Sequence, residues 1–278
     1  MKKYKLILIL LMSFSISVNA LAQKQYDIVV YGGTSAGISA AIQASRMGKS
    51  VALIEPTDCL GGLTTGGLGQ TDIGNKQAIG GISREFYQNI RKYYDNPKNW
   101  KWQSKEEYAD DGQTRTSKEE DTMWTFEPSA AKYVFAEMIA PEKIDIFYNL
   151  RLNRETGVKM KDKQISVIKM ETGESFKGKM FIDATYEGDL MAAAGVSYTI
   201  GRESNAVYGE TLNGVQANRL SYTLKRWTST NGYNHNFVEG VDPYIIKGDP
   251  ASGLLPGISD KAPGVDGSCL LYTSDAAD

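Results

Sequence analysis

The sequence predicts an α/β fold: a parallel sheet faced by helices, with a small β-hairpin insertion and the start of a second region behind it. Three observations carry this prediction. A run of strand formers, Tyr26 to Tyr31, leads into a glycine-rich turn and then an Ala/Ile-patterned helix. A second apolar run, Ser50 to Glu55, follows that helix after Gly48, which is the order expected of two parallel strands joined by a helix. A third run, Phe181 to Thr185, returns after a hairpin signal and leads into another helical stretch.

Each element has a local reason. Residues 26 to 31 are apolar but for Asp27, as a strand covered on both faces requires. Gly32 to Gly37 form the turn, Ile38 to Met47 the helix, and Gly48 its stop. Between Cys59 and Gly81 glycines are too dense for regular structure, so this stretch is expected to lay bare backbone against a ligand. Ile82 to Tyr94 reads as a helix with Ile82, Phe86 and Ile90 on one face and Tyr93 near it. The polar region 95–127 reads as a surface insertion or cap in which Trp100, Trp102 and Trp124 are the apolar points. Glu127, Pro128 and Ser129 open a helix to about Ala140. The region 144–180 holds a strand, Ile144 to Leu152, and a hairpin of Gln164 to Met170 with Ser175 to Met180 around Thr172 and Gly173. Phe181 to Thr185 is a further strand and Glu187 to Ala194 a helix ending at Gly195. Residues 201–268, rich in Gly, Pro, Asn and Tyr, show no periodicity and read as the start of a substrate or cap region, behind a first domain of 23–200.

Composition sets the outer bounds. The 278 residues are 41% hydrophobic and 23% charged, with 31 basic against 33 acidic side chains and a pI near 5.7, so the basic stripe of a nucleic-acid binder is absent. Two cysteines and one histidine supply neither a disulfide framework nor a His-rich metal site. The N-terminus, Met1-Lys2-Lys3-Tyr4-Lys5 followed by an apolar stretch to Val18 and then Ala20-Leu21-Ala22, reads as a Sec-type signal peptide over 1–22. Export to a periplasm or beyond is expected, with no membrane span after cleavage. The last ten residues, Cys269 to Asp278, match the translation of a transposase-end sequencing adapter residue for residue, so 269–278 is expected to be an artefact on a chain that natively continues from Gly267 or Ser268.

The strand, turn, helix and second strand make a dinucleotide site. Gly32 allows the tight turn, Gly37 lets the helix lie close to the strand, and the helix N-terminus offers free N–H groups to a pyrophosphate across Gly33, Thr34, Ser35 and Ala36. Glu55, 18 residues after Gly37, is placed to accept from a ribose hydroxyl. Thr34 stands where the G-x-G-x-x-G pattern has its second glycine; its side chain must bond to the pyrophosphate or leave the close approach to Gly33. A second glycine-rich loop, with Gly61, Gly62, Leu63 and Thr64 at its start, follows Glu55 almost directly and suits a ligand longer than NAD. The strand that returns at Phe181 ends near Asp189, an acceptor for ribityl hydroxyls. FAD fits better than NAD.

Four segments, Asp27 to Ala41, Cys59 to Gly69, Phe181 to Leu190 and Asp249 to Gly257, together resemble FAD-dependent oxidoreductases of the glutathione-reductase-like, Rossmann-like FAD/NAD(P)-binding fold, in particular an exported group. The resemblance implies noncovalent FAD, a small-molecule substrate, a large portion beyond Gly267, and a contact of the Leu152 backbone with adenine. Tyr186 departs from the glycine that relatives often carry after Asp-Ala-Thr.

Flavin would supply the redox chemistry and the protein orientation and electrostatics. No residue stands out as a catalytic base. His235 sits among loop formers, Cys59 lacks the second cysteine of a flavin-coupled dithiol, Arg84 opens a helix as a candidate partner for an anionic substrate group, and Tyr186 and Tyr208 are pocket candidates. Two functions stay open: an exported FAD oxidoreductase of a small organic, carbohydrate-derived substrate, and an exported nucleotide- or glycan-binding protein with the same fold and no turnover.

Overall fold

A computed structural model describes residues 24–71, 74–108, 120–201, 203–211, 213–214, 242 and 244–255. The stretch 1–22 predicted to be a signal peptide, His235 and the final ten residues lie outside the described residues. The chain divides into two units, Met1–Val196 and Ser197–Asp278.

The first unit is built on a six-stranded sheet. Its strands are β1 (Gln25–Tyr31), β2 (Val51–Ile54), β3 (Ile144–Phe147), β4 (Val158–Lys161), β5 (Gln164–Lys169) and β6 (Ser175–Asp183), in the order β3-β2-β1-β6-β5-β4. β1 pairs in parallel with β2 and with β6, and β2 in parallel with β3; β5 and β4 continue the sheet antiparallel. The helices are α1 (Ser35–Arg46), α2 (Leu63–Gly66), α3 (Gly81–Asp95), α4 (Pro128–Ile139) and α5 (Asp189–Ala193).

β1 is apolar from Ile28 to Tyr31, where both its faces are covered. Val30 joins Val51 and Leu53 in a core completed by Ile38, Ile42, Phe86, Ile90 and Phe135 from the helices. Val29 and Tyr31 point the other way, with Ala52 and Ile54, into a second core with Leu152, Ile168, Met170, Phe176 and Leu190. α1 is Ala-rich on its inner face and starts three residues earlier than expected, because the Thr34 hydroxyl accepts from the Gly37 amide and caps it. α3 buries Phe86, Ile90 and Tyr94, while Ile82 and Tyr93 are half-buried.

Four local expectations change. The segments Ser175 to Met180 and Phe181 to Thr185 are one strand, β6: nothing between Met180 and Phe181 breaks an extended chain, so the hairpin and the central sheet share a strand. β3 stops at Phe147 instead of reaching Leu152, since Asn149 turns to φ 58, a left-handed geometry that Asn tolerates. β4 carried no sequence signal: its residues are mostly exposed, and the Asp162-Lys163 turn to β5 puts two non-glycine residues at positive φ. The glycine-dense stretch contains one helical turn, α2.

The end of the polar insertion folds back on the second glycine loop. Gln70 bridges Thr125, the Thr71 amide donates to Trp124 and the Phe126 amide to Gly69. Trp124 is fully buried against Tyr87, Trp100 is half-buried, and Trp102 is 87% exposed, so the three tryptophans serve different ends. In the second unit the described residues form a short helix, α6 (Asn205–Tyr208), and a hairpin of β7 (Tyr244–Ile246) and β8 (Asp249–Leu254). Among the described residues no helix is long and apolar enough to cross a membrane.

Candidate functional site

The site forms at the C-terminal ends of β1, β2 and β6. β1 runs into Gly32, whose φ of 100 and whose approach to Ala184 and Thr185 leave no room for a side chain; a Cβ there would lie 2.7 Å from the Thr185 amide nitrogen. At Gly37 a Cβ would lie 1.9 Å from the Gly32 carbonyl oxygen, so helix and strand close on each other only with glycine at this position. Ser35 is half-buried and Ala36 exposed, which turns the first turn of α1 outward. Among its first-turn amides only that of Gly37 meets the Thr34 cap, as an N-terminus available to an anion requires.

Thr34 resolves the departure from the glycine pattern by turning inward. Its backbone is extended, and its hydroxyl donates to the Ala184 carbonyl at 2.7 Å while accepting from the Gly37 amide at 3.3 Å. The hydroxyl is thus committed to the end of β6. Gly33 has its own reason to be glycine, since a Cβ would lie 2.3 Å from the Leu60 side chain and 2.8 Å from a Glu55 oxygen.

Glu55 is buried, and its carboxylate organises the turn. Oε2 accepts from the Gly33 amide at 2.7 Å, and Oε1 accepts from the amide and hydroxyl of Thr57 at 2.8 and 2.7 Å. A carboxylate offers about four acceptor positions, so one stays available for a single hydroxyl donor.

The second glycine loop is docked on the first. The Gly61 amide donates to Gly33 at 2.7 Å, and the Ser35 hydroxyl bonds to the Gly61 carbonyl at 3.1 Å and the Thr64 hydroxyl at 2.6 Å. Thr65, which sequence reasoning missed, is buried and donates to the Leu60 carbonyl at 2.6 Å, closing the loop from beneath. Leu63 is 48% exposed, and its amide donates to the Tyr186 hydroxyl at 2.8 Å.

The third wall is the end of β6. Asp183 accepts from the amide and hydroxyl of Thr185 and from the Met191 amide, fixing the turn into α5. Asp189 opens α5 behind Gly188, which is left-handed, and faces Arg154 at 3.7 Å. Leu152 is buried and its amide donates to the Tyr31 hydroxyl at 2.9 Å. Burial pushes the Tyr31 phenol above its ordinary range, against a smaller opposing effect of the Leu152 amide. Tyr31 hid in the sequence as one more strand residue; only the pairing of its hydroxyl across 121 residues reveals it.

Other candidates go elsewhere. Arg84 is paired with Asp121 at 2.7 Å, so its guanidinium has a carboxylate already. Cys59 is a half-buried free thiol beside the Leu60 carbonyl. Tyr208 lies in the second unit and is 72% exposed. Among the described residues no group of three or more His, Cys, Asp or Glu is placed to hold a metal.

The turn, the spare acceptor of Glu55 and the second loop together fit an adenine dinucleotide extended beyond its pyrophosphate. Solved structures similar to this chain include L-proline dehydrogenase from P. horikoshii, at 16% identity and a TM-score of 0.40 over 66% of this chain and 59% of that one. Thioredoxin reductase from T. acidophilum shares 17% identity with a TM-score of 0.33 over 66% and 37%, and THI4 from Thermovibrio ammonificans 12% with 0.42 over 71% and 74%. This chain thus spans 59% of the length of the first of these. No curated protein matches the sequence. The family model described as FAD dependent oxidoreductase matches residues 27–248, and the chain therefore belongs to the FAD-dependent oxidoreductases, with FAD as its cofactor.

Proposed function

We propose that the complete protein is an exported oxidoreductase that moves a hydride between FAD and a small organic substrate, carbohydrate-derived compounds being the class to test first. The observation that carries the cofactor part is the convergence of the Gly32 to Gly37 turn, the buried Glu55 and the second glycine loop in one hydrogen-bonded cradle. The leader-like residues 1–22 support export. FAD, when bound, supplies the acceptor or donor of the hydride.

The chain's own groups hold and orient. Ser35 and Ala36 bring backbone N–H groups to the pyrophosphate at the start of α1, while Gly33, its amide held by Glu55 and its carbonyl by Gly61, shapes the turn beneath them. Glu55 takes one ribose hydroxyl on its remaining acceptor position. Leu152 has its amide committed to Tyr31, so its carbonyl is the group left for the adenine amino donor. Gly61, Gly62, Leu63 and Thr64 would hold the ribityl chain, and Asp189 would accept from its hydroxyls.

Purified full-length protein is expected to be yellow, to bleach on dithionite and to reduce an artificial acceptor with a sugar or sugar-acid panel. Colourless protein that ignores added FAD refutes the cofactor reading; flavin that dithionite bleaches but no small organic substrate reduces refutes the substrate reading. N-terminal sequencing of the exported protein should begin at Gln23, and an intact leader refutes that part.

A further inference from the structure

The Tyr186 phenol sits at an unusual place. Its hydroxyl accepts from the Leu63 amide at 2.8 Å, and a Cβ on Gly62 would lie 2.2 Å from the same oxygen. The ring is 59% exposed, so burial does not hold it there. Gly62 has φ 54 and ψ −131, a backbone state few side chains tolerate, and this geometry opens the space that the hydroxyl fills. The contact joins segments 123 residues apart, the loop after β6 and the second glycine loop.

We infer that Tyr186 is a positioning residue that clamps the second glycine loop in its cofactor-binding geometry before the cofactor arrives, an inference that rests on the FAD reading of this cradle. The loop has two other anchors: Gly61 is tied to the first glycine turn through Gly33 and Ser35, and Thr65 is tied to Leu60. Leu63, between them, is exposed and carries its first-turn amide outward; without the phenol that amide has only water. A clamp made by the protein lowers the ordering cost that binding otherwise carries. The phenol also fills space beside Gly62 that a glycine at position 186 would leave open.

The test uses the full chain with Tyr186→Phe, which keeps the ring and removes the hydroxyl. Two readouts are taken: the FAD dissociation constant by fluorescence quenching, and the rate at which Cys59, in the same loop, is alkylated in the apoprotein, assigned by peptide mass mapping so that Cys269 does not interfere. One neutral hydrogen bond corresponds to a change of about 3- to 10-fold, so Y186F is expected to weaken FAD binding and to speed Cys59 alkylation by such a factor. Because the residue is largely exposed, the circular dichroism spectrum should be unchanged; Tyr186→His, which restores an acceptor on a shorter side chain, serves as the second variant and should recover part of both effects. Unchanged alkylation overturns the clamp, and faster alkylation with unchanged FAD affinity overturns its role in cofactor binding. Wild-type protein that takes up no FAD refutes the cofactor reading itself, whereas wild-type binding that Y186F matches overturns this inference alone.

Discussion

Replacing Gly37 by alanine should separate α1 from β1. The added Cβ would stand 1.9 Å from the Gly32 carbonyl oxygen and 3.2 Å from the Ala184 methyl group. Carbon and oxygen approach to about 3.3 Å, so the helix must retreat by roughly 1.4 Å. Neither partner can yield cheaply. Gly32 is tied to β2 by its amide on the Ile54 carbonyl at 2.8 Å, and α1 buries Ile38, Ala41 and Ile42 completely. The clash is backbone against helix with no rotamer to relieve it, which places the cost near the upper end of overpacking, about 3 kcal/mol. For a unit of this size that lowers Tm by about 6 to 12 °C. A displacement of more than 1 Å at the helix start should also weaken FAD binding, because the first-turn amides no longer meet the pyrophosphate. Gly66→Ala is the matched control: nothing lies within 4 Å of its added Cβ, its φ is not positive, and it ends the one-turn helix α2. It should be neutral or stabilising by about 0.5 to 1 kcal/mol. Thermal melts and FAD titration of both variants decide. Gly37→Ala with wild-type Tm and affinity, or Gly66→Ala equally damaging, refutes the reasoning.

Three further predictions follow from single contacts. Tyr31→Phe strands the buried Leu152 amide and should cost about 1 to 3 kcal/mol in chemical denaturation; an unchanged midpoint counts against that pairing. Thr122→Val should stabilise by about 1 kcal/mol, because the Thr122 hydroxyl is buried with no partner, and a loss of stability would show that it has one. The Asp27 carboxylate is held well below its ordinary range, first by Lys179 and then by the amide and hydroxyl of Ser50. A depressed carboxylate stabilises the fold above its unfolded value of 3.8 and loses that contribution as pH falls toward its folded value. Wild-type Tm should therefore fall with pH below that point more steeply than Asp27→Asn, and parallel curves exclude the pairing as the cause.

The first strand, turn, helix and second strand were legible because each rests on neighbours in sequence: an apolar run, a glycine turn, an alanine face. Gly32, Gly37 and Glu55 were legible for the same reason, their spacing being set by one local unit. What stayed hidden depends on distant partners. The unity of β6 is fixed by β1 on one side and β5 on the other, and nothing within residues 175–183 announces it. The inward turn of Thr34 depends on Ala184, 150 residues away, and the commitment of the Leu152 amide depends on a phenol in β1. β4 could not be read because an exposed edge strand needs no apolar pattern and its turn used Asp-Lys in place of a glycine.

The placement of β6 also sets a folding order. β1 has β2 beside it within 30 residues of chain, but its other neighbour is more than 140 residues downstream, so one edge of the central strand stays open until most of this unit has been made. The turn that meets the cofactor is closed by that same late strand, through Ala184 on Thr34 and Gly32. A chain ending before Ser175 therefore leaves one backbone edge of β1 unpaired and lacks a finished cradle at once. Chain 23–174 should bind a hydrophobic-surface dye and aggregate in refolding, and chain extended past Leu190 should do so less.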